Sequence, residues 1–545
     1  MTFMKVFFSL LLLLSGKAFS QPDYILYHGK VFTSDKKNIW VEAIAIKGER
    51  ISAVGNNNEI LKLKGVNTRV IDLEGRVVIP GINDAHNHAG AEYPARRFEL
   101  AHNPLDPTPW NLLRDSIIRI VKEIPEGTFI ITTINPDLLG EPLARRKQLD
   151  SIAPHHPVMF SAWTGHGKIM NSAALSFFGF NDQSQTLGGR FDKDRDQHLT
   201  GLIEEYASFP AGAFLSSRLD RSQIIGDLRK FYAEASALGI TTVQNMCTQH
   251  FAKQVTDIYT TEEFSCRVRL VAFPFTSSNE LLLHDWDNLF HSLNQMNYIS
   301  GVKLILDATP VERLAALRQA YSDRPAEYGR LNFDPQQLKL YMQYCLQHNQ
   351  QIIIHAVGDS AIVSIIRTMR SLHPDSFWKS KRLRLEHAEL AVVKEEDINT
   401  LKQLGIVIVQ NPTHLALPSV IHARFGASRT KYLQAMQTLS DNNIPFAIGS
   451  DGPMNPYLNI MLATMHPDNP KEAITREEAV IAYTHGSAYA EFRENEKGIL
   501  AKDKLADLVV LSQDIFDISP DKLPATESVM TFLGGKIVYD KNLLK

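Results

Sequence analysis

Short apolar runs alternate with longer amphipathic segments through the middle of this chain. The runs are nearly continuous in apolar residues, whereas segments such as "DPQQLKLYMQYCLQHN" and "KEEDINTLKQLG" carry apolar positions at helical spacing. Strands that are apolar on both faces and separated by helices indicate a parallel sheet covered on both sides. The predicted strands lie within residues 239–246, 267–275, 299–306, 351–358, 382–389, 405–412 and 445–453.

One further run, "VVIPGINDAH", ends at His86 and brings the number of predicted strands to eight. Eight strands alternating with helices close a barrel. We therefore predict an α/β fold with a TIM-like (β/α)8 barrel over residues 79–489. The interval between the first two runs is far longer than a normal crossover. We expect an insertion there, over about residues 95–230, above the first strand where a substrate lid would lie.

The two ends of the chain have a different pattern. Between residues 24 and 78, glycines separate short alternating or β-branched runs, and "ADLVVLS" and "VMTFLGGKIVYD" repeat this pattern near the C-terminus. Such punctuation is typical of hairpins. We predict that residues 21–78 and 490–545 form one composite β-sandwich beside the barrel.

The N-terminal segment has the features of a targeting signal. Lys5 precedes an apolar run, and Ala18, Phe19 and Ser20 form a small-x-small cleavage site. We predict a secretory signal peptide over residues 1–20, since the run is short for a membrane span. An uncleaved N-terminal anchor is the alternative. The mature protein is expected to be exported, periplasmic or secreted, and free of the membrane after cleavage.

The composition narrows the set of partners. A formal net charge of -3 and a pI near 6.7 provide no basic field for nucleic acid, so we expect a small-molecule substrate instead. Cys247, Cys266 and Cys345 are too few and too irregularly spaced for a disulfide framework or a CxxC metal motif. We predict that they are buried as small apolar residues. The sequence carries no signal for the oligomeric state.

Polar side chains that can bind metal stand at or near the ends of the predicted strands. His86 and His88 follow the first strand, and alternate residues of a strand face one side, so both can bind one ion. Active sites of such barrels lie at the C-terminal rim, so residues distant in the chain are expected to converge there. The predicted ligand set is His86, His88, Lys303, His355, His387 and Asp451.

These residue types favour metal-assisted hydrolysis. Neutral imidazoles and a carboxylate suit Zn²⁺, with Mn²⁺, Fe²⁺ and Co²⁺ as alternatives. A bridging anion would offset the charge of two ions, and Lys303 carbamylated by CO₂ would supply one. Two ions that share a hydroxide lower its pKa and polarise the scissile carbonyl. Asp451 would accept the proton of this hydroxide and pass it to the leaving nitrogen.

Each of these residues also has an ordinary structural interpretation. A single histidine such as His355 or His387 is more often hydrogen-bonded within the fold than bound to metal, and Asp451 in "GSDGP" suits a turn. The recurrence of such residues at strand ends favours the metal-site hypothesis. An unmodified Lys303 would make a one-metal site the better interpretation.

Five segments carry a resemblance to a known family: "VVIPGINDAHNH", "GVKLILD", "IIIHAVGD", "RLRLEHAE" and "AIGSDGP". They resemble signature elements of the amidohydrolase superfamily. Their order and spacing are most similar to amidohydrolase family 3, the YtcJ-like and N-substituted formamide deformylase-like metal-dependent hydrolases. The resemblance extends from about residue 24 to residue 540.

The resemblance implies a division of the ligands between two divalent ions, expected to be Zn²⁺. His86, His88 and Asp451 would hold the more buried ion. His355 and His387 would hold the other, and Lys303 would be the carbamylated bridge. The resemblance also implies the composite sandwich.

The predicted function is an exported metal-dependent hydrolase that cleaves an amide-type, non-peptide C–N bond of a small molecule. An esterase, lactonase or phosphotriesterase on the same centre is the first alternative, because the fold does not select the bond. A mononuclear deaminase is less favoured, since "HAVGD" lacks a glutamate just past His355. A non-catalytic binding protein is the third alternative, although none of the six ligands is missing. His166, in "WTGHGK", is predicted to face the substrate, with a structural role as its alternative.

Overall fold

A parallel barrel sheet forms the centre of the molecule. The structure is a computed structural model that describes residues 21–100, 106–290 and 293–544. Eight parallel strands pair in chain order, which confirms the predicted barrel. The strands are β1 (Ile82–Asn87), β2 (Ile240–Met246), β3 (Arg267–Ala272), β4 (Asn297–Ile305), β5 (Ile352–Ala356), β6 (Arg384–His387), β7 (Val407–Gln410) and β8 (Phe446–Ile448).

The barrel closes where the end of β8 meets β1. The backbone N–H of Asp451 donates to the carbonyl of His86 at 2.8 Å, and that of Ser450 donates to the Asp84 carboxylate at 2.7 Å. Gly449 permits this approach, because a Cβ at its position would lie 2.4 Å from the backbone nitrogen of His86. The seam therefore fixes His86 and Asp451 beside each other.

Helices cover the outside of the barrel, as the amphipathic segments predict. The two quoted segments form the helices Pro335–Gln347 and Glu395–Leu404. No described helix is long and apolar enough to cross a membrane. The helix before β2 is Arg221–Ala237. The other α-helices after β2 are Ala252–Tyr259, Asp359–Leu372, Asp375–Trp378, Pro418–Phe425, Ala427–Thr430, Met436–Asp441, Pro456–Met465, Arg476–Ile481 and Ser487–Ala490.

Strands from both chain ends form two further sheets that share a hydrophobic core. Within the second sheet, Val77–Pro80 pairs with Leu508–Leu511 in antiparallel register. Leu26 and Ile44 of the first sheet pack in one cluster with Val78 of the second, so the predicted composite sandwich is present. The first sheet contains Tyr24–Tyr27, Ala43–Lys47, Arg50–Gly55 and Arg69–Asp72; the second contains Lys30–Phe32, Trp40–Val41, Val77–Pro80, Leu508–Leu511, Ser528–Leu533 and Lys536–Asp540. A short helix, Asn57–Leu61, precedes Arg69–Asp72.

The segment between β1 and β2 forms a six-stranded sheet of its own, which we call the insertion sheet. Its helices are Trp110–Ile120, Arg146–Ile152, Ser172–Phe177 and Pro210–Ser216. In spatial order its strands are Gly189–Lys193, Leu199–Glu205, Gly167–Met170, Val158–Ala162, Ile130–Ile134 and Arg96–Arg97.

Two further sequence predictions concern the cysteines and the N-terminal segment. All three cysteines are buried and free, as predicted. The predicted signal peptide, residues 1–20, lies outside the described residues.

Candidate metal centre

A cavity of about 430 Å³ lies between the C-terminal ends of the barrel strands and the insertion sheet. Barrel residues that are distant in the chain meet at its floor, because parallel strands end at one rim. Its walls include every residue that the sequence predicts for the site, namely His86, His88, His166, Lys303, His355, His387 and Asp451.

His86, His88 and Asp451 form a group with the spacing of metal ligands. The two Nε2 atoms lie 3.3 Å apart, as expected for alternate residues at the end of a strand. Asp451 Oδ1 lies 3.3 Å from His88 Nε2 and 3.7 Å from His86 Nε2. One divalent ion could therefore contact all three side chains.

Buried hydrogen bonds fix the orientation of these imidazoles. His86 Nδ1–H donates to Glu386 at 2.6 Å, and both side chains are almost fully buried. His88 Nδ1 lies 2.9 Å from Thr248 Oγ1. Both bonds leave the Nε2 atoms directed toward Asp451, which is how outer partners orient metal-bound histidines. Burial lowers the pKa of His86 to about 4, so its ring is neutral and able to bind metal near pH 7.

Glu386 is a residue that the sequence analysis missed. The carboxylate accepts a hydrogen bond from Arg384 Nε at 2.9 Å as well as from His86. Its pKa is held well below the ordinary value, because the charges and hydrogen bonds of Arg384 and His86 outweigh burial. In a regular strand, Glu386 and His387 would face opposite sides. The φ of +66° at His387 breaks this alternation, so His387 lines the cavity while Glu386 contacts His86.

A second possible ligand group contains His414, which the sequence analysis also missed. His414 lies on the 3₁₀ turn Pro412–Ala416, just past β7, and its Nε2 lies 3.5 Å from Asp451 Oδ2. Nδ1–H donates to Glu389 at 2.8 Å. Although burial lowers the pKa of His414, hydrogen bonds to Asp451 and Glu389 raise it to about 10. The motif "NPTHLALP" directly after a barrel strand was the available sequence signal.

His355 and His387 lie side by side in the cavity wall, with ring centroids 4.4 Å apart. Nδ1 of His387 lies 2.8 Å from Asn411 Oδ1. Nε2 of His355 is buried and has no hydrogen-bond partner among the described residues. Burial lowers the pKa of both histidines well below the ordinary value. Nε2 of His355 lies 3.9 Å from Asp307 Oδ1, and a buried neutral imidazole without a hydrogen bond at this nitrogen fits a metal ligand.

Lys303 extends from β4 into the cavity and is almost completely buried. Burial lowers the pKa of its ammonium group to about 8. Among described residues, no hydrogen bond or ion pair holds its Nζ atom. An amine that loses its proton this readily can react with CO₂, so Lys303 fits the predicted carbamylated bridge.

His166 lies against His355, with ring centroids 5.0 Å apart. Its Nδ1–H donates to the fully buried Glu205 at 2.9 Å, and Glu205 also accepts from Asn332 Nδ2 at 2.8 Å. The charge of Glu205 raises the pKa of His166 despite its burial. No sequence pattern indicated a role for Glu205. The structure identifies it as the residue that orients His166.

Three residues in or beside this site have a left-handed backbone. His387, Asp451 and Glu205 have φ values of +66°, +54° and +55°. Non-glycine residues rarely adopt this left-handed region, and such strain clusters at functional sites. Each of the three side chains contacts the cavity or a residue that lines it.

The chain is similar to known proteins over most of its length. A model of the Amidohydrolase family matches residues 69–539. Protein LONG AFTER FAR-RED 3 of Arabidopsis thaliana is 28% identical over 95% of this chain and 91% of its own. YtcJ of Bacillus subtilis (strain 168) is 26% identical over 95% and 99%. N-substituted formamide deformylase of Arthrobacter pascens is 24% identical over 95% and 98%.

One solved structure supports the fold independently. The crystal structure of an uncharacterized metal-dependent hydrolase from Pyrococcus furiosus aligns with a TM-score of 0.69 at 22% identity. The alignment covers 91% of this chain and 100% of that chain.

Proposed function

Because this chain belongs to the amidohydrolase family, we propose that it is a metal-dependent hydrolase of an amide-type, non-peptide C–N bond in a small molecule. The observation that carries the proposal is the convergence of His86, His88 and Asp451 at ligand spacing. The similarity to N-substituted formamide deformylase favours a C–N bond over an ester.

The side chains present fit two divalent ions, Zn²⁺ or another first-row metal. His86, His88 and Asp451 would hold one ion, and His355 with His387 would hold the other. Carbamylated Lys303 would bridge the two. When bound, such ions lower the pKa of water and polarise a carbonyl group.

Side chains of the protein would carry out the proton transfers. Asp451 would accept a proton from the attacking water and deliver it to the leaving nitrogen. A C–O bond forms, the C–N bond breaks, and the products are a carboxylic acid and an amine. His166, oriented by Glu205, would bind the substrate through its other ring nitrogen. His414, which contacts Asp451 and Glu389, would hold the Asp451 carboxylate in position.

The proposed site of action is outside the cytoplasm. Lys5, the apolar run and the small-x-small site before Gln21 support export as a periplasmic or secreted protein. Mass spectrometry of the mature protein should find Gln21 at the N-terminus. A retained Met1 would contradict cleavage.

Metal analysis of protein purified without chelators tests the centre, and a substrate panel tests the reaction. We expect about two first-row ions per chain, the stoichiometry of a bridged hydrolytic site, and turnover of N-formyl or N-acyl amines in preference to matched esters. His86→Ala and Asp451→Asn should abolish turnover while the fold survives. His250→Ala removes another buried histidine, one outside the cavity lining, and should retain turnover.

Each other outcome has a defined meaning. Faster cleavage of the esters would replace the amide proposal with an esterase or lactonase. One ion per chain would remove Lys303 as a bridge. Turnover that persists in both active-site variants would reject this centre.

A further inference from the structure

One face of the insertion sheet lines the cavity opposite the metal centre. Successive residues of a strand face opposite sides, and here Ile131, Met159 and Lys168 line the cavity. Their neighbours Ile130, Phe160 and Ile169 pack in a hydrophobic cluster on the other face, whereas Ile131 and Met159 belong to a second cluster on the cavity side. The positions on the cavity face are therefore fixed by the core packing behind them.

Three polar side chains form a continuous row on this face. Thr133 pairs with Ser161 across one strand pair, and Ser161 pairs with Lys168 across the next. Neighbouring strands lie about 4.8 Å apart, so the three side chains leave the sheet side by side on the same face. All three residues line the cavity. We call Thr133, Ser161 and Lys168 the donor row.

The donor row is unsatisfied within the protein. Across residues 21–100, 106–290 and 293–544, none of its three side chains makes a hydrogen bond or an ion pair. Lys168 is partly buried, and burial lowers the pKa of its ammonium group to about 8. Ser161 is also half-buried and Thr133 is exposed to the cavity, and a half-buried cation on the same face as two hydroxyl groups is suited to receive an anion.

The surrounding charges favour the same kind of ligand. Outside the predicted metal ligands, the titratable charged or basic residues that line the cavity are Arg97, His166 and Lys168. Asp451 is the only carboxylate in that lining among the described residues. The nearby Glu205 and Glu312 already bond to His166 and Thr164 respectively. No acidic side chain of the described cavity wall therefore competes for Lys168.

We propose that the donor row binds a carboxylate on the part of the substrate that is not cleaved. The substrate class is then an N-acyl or N-formyl amine that carries a carboxylate. Lys168 lies two residues from His166, so their Cα atoms are at most about 7 Å apart. The carboxylate would lie at roughly this distance beyond the group that His166 contacts. This inference rests on the proposed function, and its test separates the two.

Two matched compounds provide the test: 4-(formamidomethyl)benzoate and its neutral analogue 4-(formamidomethyl)benzamide. The metal-loaded full-length protein should cleave the benzoate with a kcat/KM about 10-fold to 100-fold higher, as expected for hydrogen bonds to a charged group. Lys168→Met should bring this ratio close to one, because kcat/KM for the benzoate should fall far more than kcat/KM for the benzamide. Ser161→Ala should lower the ratio partially.

Lys147→Met is the matched control. It removes the same charge from the insertion, but Lys147 is exposed and pairs with Asp194. The control should keep the full preference for the benzoate. Circular dichroism of each variant verifies that the fold is retained.

Calorimetric titration of the same two compounds distinguishes failure of the inference from failure of the proposed function. If neither compound is hydrolysed but the benzoate binds more tightly, and Lys168→Met abolishes that difference, the donor row is supported and the proposed reaction is wrong. Equal binding or cleavage of the two compounds by the wild type would overturn the inference. So would a preference that survives in Lys168→Met, or no detectable binding of the benzoate at millimolar concentration.

Discussion

Glu386→Gln removes the charge that orients His86 and leaves a side chain of nearly equal volume. The wild-type contact is a 2.6 Å hydrogen bond between two buried groups, and charge-assisted bonds of this kind are about twice as strong as neutral ones. Loss of such a partner lowers metal affinity by about 10-fold to 100-fold, which corresponds to about 1.4 to 2.7 kcal/mol. We expect this reduction for the ion held by His86, His88 and Asp451.

The measurement is a competition titration of metal-free protein with Zn²⁺ and a chromophoric chelator. Glu491→Gln is the control, because Glu491 is also a buried carboxylate with a cationic partner, Lys497 at 2.8 Å. It contacts Asn83 near the N-terminal end of β1, away from the cavity. Both variants should lose folding stability, whereas only Glu386→Gln should lose metal affinity. Wild-type affinity in Glu386→Gln, or an equal loss in the control, would refute this account of His86.

Three further predictions concern other contacts. Gly449→Ala should lower the free energy of unfolding by about 1 to 3 kcal/mol and weaken metal binding, because the added Cβ would meet the His86 backbone. Urea unfolding measures the stability, and the Zn²⁺ competition titration measures the metal affinity. Arg267→Met should cost about 3 to 5 kcal/mol in urea unfolding, since it leaves the buried Asp507 carboxylate without its bidentate partner. In metal-free protein, the pKa of His414 lies at about 10, above its ordinary value of 6.5. The protonated His414 therefore stabilises the folded protein fully below pH 6.5, and this stabilisation is lost as the pH rises through 10. His414→Asn should lose less thermal stability than the wild type between pH 6.5 and 10.

Each of these has its own control and contrary result. Gly140→Ala places a Cβ in open space and should leave stability and metal affinity nearly unchanged. An equal effect of Gly140→Ala and Gly449→Ala would contradict the role of Gly449 in the close approach of β8 to β1. Arg229→Met breaks an exposed ion pair and should cost less than about 1 kcal/mol. An unchanged pH dependence in His414→Asn would reject the raised pKa of His414.

Most of the barrel was predictable from the sequence, because β-strands that are buried on both faces consist of nearly continuous apolar residues. Residues that follow such runs, such as His86 and Asp451, were then predictable from the shared rim of a parallel sheet. Glu386 was not, because regular strand alternation directs it away from the face of His387, and only the left-handed backbone at His387 overrides this rule. His414 lies on an irregular turn where no periodicity applies. The donor row depends on the pairing of strands within the insertion, which the sequence left undetermined.

The seam between β1 and β8 has a consequence for biosynthesis. His86 and His88 lie near the start of the barrel, whereas Asp451 is presented only when β8 has paired with β1. A ribosome makes the chain from its N-terminus, so the nascent protein contains both histidines long before the carboxylate that completes their group. We therefore expect the ion held by His86, His88 and Asp451 to be loaded after the barrel is complete. Truncated chains that end before Gly449 should fail to retain metal at this site, even when every histidine of the centre is present.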